Sequence, residues 1–325
     1  MTISRRSLSL AGLPLLATPA LAQPAWPTAG PIRFVVPFAP GGTTDIIARI
    51  VTAEMARRIG QSIVVENRPG AGAMLGTGQV ARAAPDGYTL LLSVISSMIV
   101  GKVLQGERAG FDPDRDFAHI AMVMSTPYLI LVRPDLPVRS VADLVAAAKA
   151  APDRYSYGTS GIGSMPHLVM VRFLQAAGLS MTHVPYRGSA QVVSDVVGGT
   201  LPMMIDSLTA ASANIRSGAL RPLAHTWPQR VPGFDDIPTF AELGYPSLVV
   251  DGWSGIAAPA RTPRPIVEKL AEAARDSLQS PELLRRYAES ATAPGRLFLD
   301  DAQQYVRDEL AAWTPIIRAS GASID

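Results

Sequence analysis

The chain contains no cysteine, which excludes disulfides, thiolate metal sites and a cysteine nucleophile. That absence leaves the redox compartment open. Charge is scarce: charged residues make up 17% of 325 positions, and lysine occurs only as Lys102, Lys149 and Lys269. Beyond residue 22, no stretch offers the roughly 18 uninterrupted apolar residues that a membrane helix needs. The run from Tyr88 to Gly101 falls short and carries three serines. What remains is apolar: 48% hydrophobic residues, with 27 glycines and 28 prolines and no Gly-X-Y period. That composition supports sizeable cores in a turn-rich chain, and the length suits about two domains.

Residues 1–22 read as an export signal. Arg5 and Arg6 are followed by an apolar stretch and by Ala20-Leu21-Ala22, a small-x-small cleavage pattern before Gln23. Ser4-Arg5-Arg6-Ser7-Leu8 fits a twin-arginine signal or an ordinary basic start, and both stay open. Without these residues the chain has 27 basic and 27 acidic side chains. A neutral body argues against a nucleic-acid or anionic-membrane partner recruited by bulk charge, so any anion site must be local.

The body alternates strands and helices. Strands are expected at Ile32–Phe38, Ser62–Glu66, Tyr88–Ser93, Tyr128–Val132, Tyr155–Gly158, Thr182–Pro185, Pro202–Asp206 and Arg221–Thr226. Helices are expected at 44–59, 75–83, 141–150, 164–177, 189–197 and 208–217, and the chain is expected to be helical from Pro263 onward. Such alternation predicts α/β architecture, with parallel strands between layers of helices. Ligands of open α/β sheets bind at the carboxyl ends of strands, which directs attention to the strand-to-helix loops.

Four of those loops carry candidate chemistry. Pro40, Gly41, Gly42, Thr43, Thr44 and Asp45 combine two glycines with a helix start. There the backbone can approach an anion and the helix dipole favours it. A plain tight turn would look the same. Thr159, Ser160, Gly161, Gly163 and Ser164 form a second such loop, rich in hydroxyls and N–H donors. In the third, Arg187 and Gly188 precede a helix, and Arg187 either forks onto an acidic ligand or sits on the surface. Asp206 ends a strand, placed to receive a ligand hydroxyl or amine or to cap the next helix.

Several other patterns fail. Gly70-Ala71-Gly72-Ala73-Met74-Leu75-Gly76 has dinucleotide-turn spacing, but no acidic residue ends a strand about 20 positions later. There is no Gly-x-Ser-x-Gly elbow, no Walker A sequence and no His-Glu-x-x-His helix. Asp112–Asp116 lacks the glycine and terminal glutamate of a calcium loop. His167 is placed to orient the loop before it, and Trp253 either lines a cleft or fills a core.

Taken together, the segments VPFAPGGTTDIIAR (36–49), VVENRPGAGAMLGT (64–77), APDGYTLLL (84–92), GTSGIGSMPHL (158–168), HVPYRGSAQ (183–191), QRVPGFDDIPTFAELG (229–244), APARTPRPIVEKL (258–270) and AAWTPIIRASGASI (311–324) span the mature chain. Their combination resembles the exported solute-binding proteins of tripartite tricarboxylate transporters, the Bug or TctC-like family. The resemblance implies a two-lobed type II periplasmic binding protein. One lobe would comprise 24–126 and 251–325, the other 127–250, each a mixed or mostly parallel sheet flanked by helices. A small carboxylate (a di- or tricarboxylate, an amino acid or an aromatic acid) would lie between the lobes. The site would comprise the loop residues named above together with Ser93. The resemblance further implies periplasmic location, no cofactor, no catalysis, a monomeric carrier, and partnership with the transporter's membrane components. The sequence departs from many members near Val171 and Arg172, where they carry an acidic residue. A sensor that presents its ligand without a transporter is one alternative. An exported oxidoreductase using the Gly70–Gly76 turn and His167 is another.

Overall fold

The computed structural model describes residues 26–151, 154–289 and 291–319. The proposed export signal lies outside them. The chain begins with β1 (Ile32–Val36), α1 (Thr43–Ile59), β2 (Ile63–Asn67), α2 (Met74–Ala81) and β3 (Thr89–Val94). A π-helical turn, Ser96–Gly101, leads into α3 (Lys102–Gln105) and then β4 (Phe117–Thr126). After Pro127 the chain builds a second sheet from β5 (Tyr128–Val132), β6 (Ser156–Thr159), β7 (Thr182–Pro185), β8 (Met203–Ser207) and β9 (Arg221–His225). Between them run α4 (Val141–Ala150), α5 (Met165–Ala177), α6 (Ser189–Val197) and α7 (Leu208–Arg216). It returns through β10 (Gly252–Pro259) and closes with α8 (Arg264–Leu278), α9 (Pro281–Glu289), β11 (Ala293–Pro294) and α10 (Asp300–Ala319).

The first sheet has the order β11-β4-β10-β3-β1-β2 and the second β7-β6-β8-β5-β9. The chain is therefore a two-lobed α/β molecule. Parallel pairing holds where strand–helix–strand units follow one another: β1 with β2 and β3, and β6 with β7 and β8. It fails at the crossovers. β5, entering from the first lobe, runs antiparallel to β8 and β9; β10, returning from the second, runs antiparallel to β3 and β4. A strand fed from the other lobe arrives without a crossover helix to reverse its direction, so both sheets are mixed. β4 and β10 escape the alternation pattern for the same reason. The expected continuous helical tail is also interrupted, because β11 pairs with β4.

The buried faces explain why these segments form these elements. α1 buries Ile47, Ile50, Val51 and Met55 against the sheet, and Gly60 ends it in a left-handed conformation at φ 72°. A side chain there would be strained; glycine is not. In β3, Leu90, Leu91 and Leu92 are all fully buried. That continuous apolar run is what a strand covered on both faces requires, and each leucine contributes about 1.5–3 kcal/mol of burial.

Candidate functional site

Four helix N-termini converge on one cavity of about 60 Å³ between the sheets, lined by Gly42, Thr43 and Thr44 at α1, Ser160 and Pro166 at α5, Gly188 and Ser189 at α6, and Asp206 and Ser207 at α7. Its other walls include Phe38 and Ala39, Val94, Ile95 and Ser96 after β3, Met124 and Thr126 of β4, Tyr128, Trp253 and Ser254. Among the described residues no lysine, arginine or histidine lines it. By the usual measure the space equals about four to six water positions.

Each loop is held by its own sequence. At α1 the N-cap is Gly42 and no side chain caps the first turn, which leaves N–H donors for another partner. Asp45 braces this loop from behind. It accepts the Gly41 N–H at 3.0 Å, the Arg49 Nε at 3.0 Å and the Asn67 amide at 3.1 Å. Burial pushes its carboxyl up, but Arg49, Gly41 and Asn67 together hold it below the usual range. Pro40, Gly41 and Asp45 thus shape the loop without lining the cavity.

The α5 loop is built on imidazoles. Ser164 caps the helix by accepting the His167 N–H, and its hydroxyl donates to the Gly161 carbonyl at 2.7 Å. Gly163 donates its N–H to His167 Nδ1 at 3.2 Å, so His167 orients the loop that precedes it. Its ring stacks on His183 with centroids 4.1 Å apart, and His183 Nε2 meets the Thr159 hydroxyl at 2.7 Å. Burial, reinforced by the neighbouring His167, lowers the His183 pKa to about 4; burial also lowers that of His167. Neutral rings leave Nδ1 free to accept. Thr159, Gly161, Gly163 and Ser164 stand behind the wall, and Ser160 is the member of this group that lines it.

At α6 the N-cap Gly188 again leaves the helix without a side-chain cap. Arg187 is exposed and outside the lining. At α7, Ser207 caps its helix through the Ala210 N–H at 3.2 Å and meets the Thr43 hydroxyl of the other lobe at 2.5 Å. Asp206 is 2% exposed; its Oδ1 accepts the Ser207 N–H at 2.7 Å and its Oδ2 has no hydrogen-bond partner. Burial pushes this carboxyl up to about 6, with the Ser189 and Ser207 groups pulling the other way. Ser93 is fully buried in β3 behind the lining, beside Gly255. Thr43 meeting Ser207, and Gly42 lying against Ser189, bring the two walls into contact beside the cavity.

Beside the cavity the two crossovers are tied together. The Ser125 hydroxyl donates to the Asp251 carboxylate at 2.6 Å and the Trp227 Nε1 donates to it at 2.9 Å. Trp253 is both core and wall: it is 3% exposed, donates to Glu309 at 2.8 Å and borders the cavity. Ser189 and Ser207 were within reach of sequence reasoning, as hydroxyl residues opening helices after strands. Thr126 and Ser254 were not, because β4 and β10 fall outside the strand–helix alternation; Tyr128 opens the expected strand β5 and so lies away from the carboxyl end where a ligand loop is sought. The Gly70–Gly76 turn lies outside the cavity, and Gly76 serves close packing: a Cβ there would come within 2.8 Å of the Arg68 carbonyl oxygen. Among the described residues no His, Asp or Glu cluster is arranged to hold a metal ion.

Known proteins share this architecture. The family model described as tripartite tricarboxylate transporter family receptor matches residues 47–322. The protein BugT of Bordetella pertussis is 33% identical over 98% of both chains. A Rhodopseudomonas palustris protein solved with adipate superposes with a TM-score of 0.87 at 34% identity, covering 92% of this chain and 99% of its own. MatC from the same organism, solved with malate, gives 0.84 at 30% identity, covering 89% of this chain and 99% of its own.

Proposed function

The chain belongs to the tripartite tricarboxylate transporter receptor family, and from that membership we propose that it is exported to the periplasm, captures a small carboxylate between its lobes and hands it to the membrane components of such a transporter. The observation that carries the ligand class is the convergence of four helix N-termini on a cavity that, among the described residues, no basic side chain lines. A carboxylate leaving water must have its hydration replaced. Backbone N–H groups with the positive ends of helix dipoles do this without a full charge. Gly42, Thr43, Thr44, Ser160, Gly188 and Asp206 form the contact surface. Pro40, Gly41, Asp45, Thr159, Gly161, Gly163 and Ser164 hold the loops in place.

The export pattern at residues 1–22 supports the periplasmic location. Adipate and malate in the two relatives agree with a carboxylate ligand here. The test is a thermal-shift panel of small carboxylates on the mature chain, after partial unfolding to strip any retained ligand. A binder at about 100 times its Kd adds about 2.7 kcal/mol of stability. A shift with at least one carboxylate is the expected result; silence across the panel together with a shift from a nucleotide would overturn the assignment.

A further inference from the structure

Resting on the reading that a ligand is taken up between the lobes, we propose that Arg172 of α5 and Trp313 of α10 form a latch across the seam between the lobes, and that Glu309 sets this latch by fixing Trp313 together with Trp253 of the cavity wall. Thr43 with Ser207 and Gly42 beside Ser189 join the lobes through the loops at the cavity. The latch joins them elsewhere, since Arg172, Trp313 and Glu309 are not part of the cavity lining.

α10 packs against β4 and the π-helical turn of the first lobe. Its far end meets the second lobe, where Trp313 and Ile317 share one buried cluster with Leu168, Val169 and Phe173 of α5. Trp313 is 7% exposed, and the Arg172 guanidinium lies over its ring, 5.5 Å from the centroid. Arg172 is half-buried, and among the described residues it forms no ion pair. A cation that gives up water without an anion needs another electron-rich partner. The face of an indole is the best that an aromatic side chain offers. An apolar side chain at 172 would fill the seam at a smaller desolvation cost. The guanidinium instead makes a contact that can be broken, because it regains water when the lobes part.

Glu309 stands one helical turn before Trp313, so the two share a face of α10. Its carboxyl accepts the Trp253 N–H at 2.8 Å and the Trp313 N–H as well. Hydrogen bonds in series polarise one another, and an indole that donates to a carboxyl group offers a cation a richer ring face. Trp253 borders the cavity, as does Pro166 in the first turn of α5. The run Trp253, Glu309, Trp313, Arg172 therefore starts at a wall from the first lobe and ends on a helix that supplies a wall from the second. Parting of two lobes about their crossings is a hinge motion, and this run opposes it.

The experiment is a distance measurement between two spin labels on the mature chain, with no acid added. The chain has no cysteine, so Val64→Cys and Val197→Cys place one label on each lobe. Both valines are 45% exposed, one on the edge strand β2 and the other on the helix after the edge strand β7, away from the crossings. The separation set by this structure should dominate in that background. Arg172→Ala should raise the ratio of longer separations to this one about threefold or more, within the strength of a cation–π contact. Arg172→Glu should raise it at least as much, because a carboxylate would meet the negative face of the ring. Trp313→Leu should act like Arg172→Ala, and the two together should add less than about twofold to either, since both remove one contact. If Trp313→Leu fails to fold, Arg172→Lys replaces it and should lengthen the separation less than Arg172→Ala does. A merely structural role for Arg172 would lower the urea unfolding midpoint and leave the separations of the folded chain unaltered. A different dominant separation in the unsubstituted latch, unchanged separations in both Arg172→Ala and Arg172→Glu, or fully additive effects of the two substitutions would overturn the latch. The carboxylate assignment would stand in each case, since the thermal-shift panel tests it separately.

Discussion

Gly42 and Gly295 are glycines for different reasons. Gly42 has φ −90° and ψ 178°, a conformation open to any residue, and a Cβ there would meet Ser189 Cβ at an ordinary 3.5 Å. Its value lies in the space and donors it leaves at the cavity. Gly42→Asp should therefore leave the fold intact and weaken carboxylate binding by about tenfold or more, through bulk and like charge in the wall. Calorimetry together with a melting curve separates the two effects, and unchanged affinity would remove this loop from the site. A Cβ at Gly295 would collide with the Met122 carbonyl oxygen. The obstacle is backbone, so it cannot swing aside. Gly295→Ala should cost about 1–3 kcal/mol or more in denaturant unfolding without altering ligand preference in the protein that folds. Asp45 teaches a related lesson. Its place at the start of α1 reads as a ligand contact, yet its oxygens are taken by Gly41, Arg49 and Asn67.

The loop before α5 depends on two neutral imidazoles, and acid should undo it. His183 has its pKa lowered to about 4 in the fold, against about 6.5 in an unfolded chain. Between those values the unfolded state binds the proton and the folded state does not, so stability falls as pH falls. The contribution of His183 is complete above about pH 6.5 and is lost as pH drops toward about 4, at up to about 1.4 kcal/mol per pH unit. The stability gap between the natural chain and His183→Gln should accordingly narrow on acidification, as read by urea unfolding at a series of pH values. A constant gap would mean that His183 is solvated. Asp206 works in the opposite sense: with its carboxyl raised to about 6, it favours folding in acid and loses that contribution as pH rises through that value. The His183→Gln comparison cancels this background.

Two chain crossings join the lobes of the molecule. Asp251 on the return crossing accepts from Ser125 on the outgoing one and from Trp227 of the second lobe. Burial raises the Asp251 carboxyl, and those donors oppose the shift. Asp251→Ala would remove the acceptor of two half-buried donors, the Ser125 hydroxyl and the Trp227 N–H, at roughly 0.5–1.5 kcal/mol for each hydrogen bond lost. The expected result is a lower unfolding midpoint and a several-fold loss of affinity, because the crossings set how the two walls, which meet at Thr43 and Ser207, face each other across the cavity. Were both stability and affinity unchanged, the crossings would not set that arrangement.

Local order was written in the chain. The strand–turn–helix rhythm, the glycines that begin and end helices, and the hydroxyl-rich loops at 40–45 and 159–164 are short-range patterns, legible because turn chemistry and helix capping act over a few residues. The family resemblance rode on those same loops. Which loop residues face the cavity was decided by the fold alone. Thr126, Tyr128, Trp253 and Ser254 come to the cavity on crossover strands from separate parts of the chain. Ser207 reaches Thr43 across 164 positions. Asp45 braces its loop from behind, and Asp206 is a buried acceptor at the cavity wall. The reason is physical: burial and hydrogen-bond satisfaction are properties of all the neighbours of a group, and in a two-lobed chain most of those neighbours are distant in sequence.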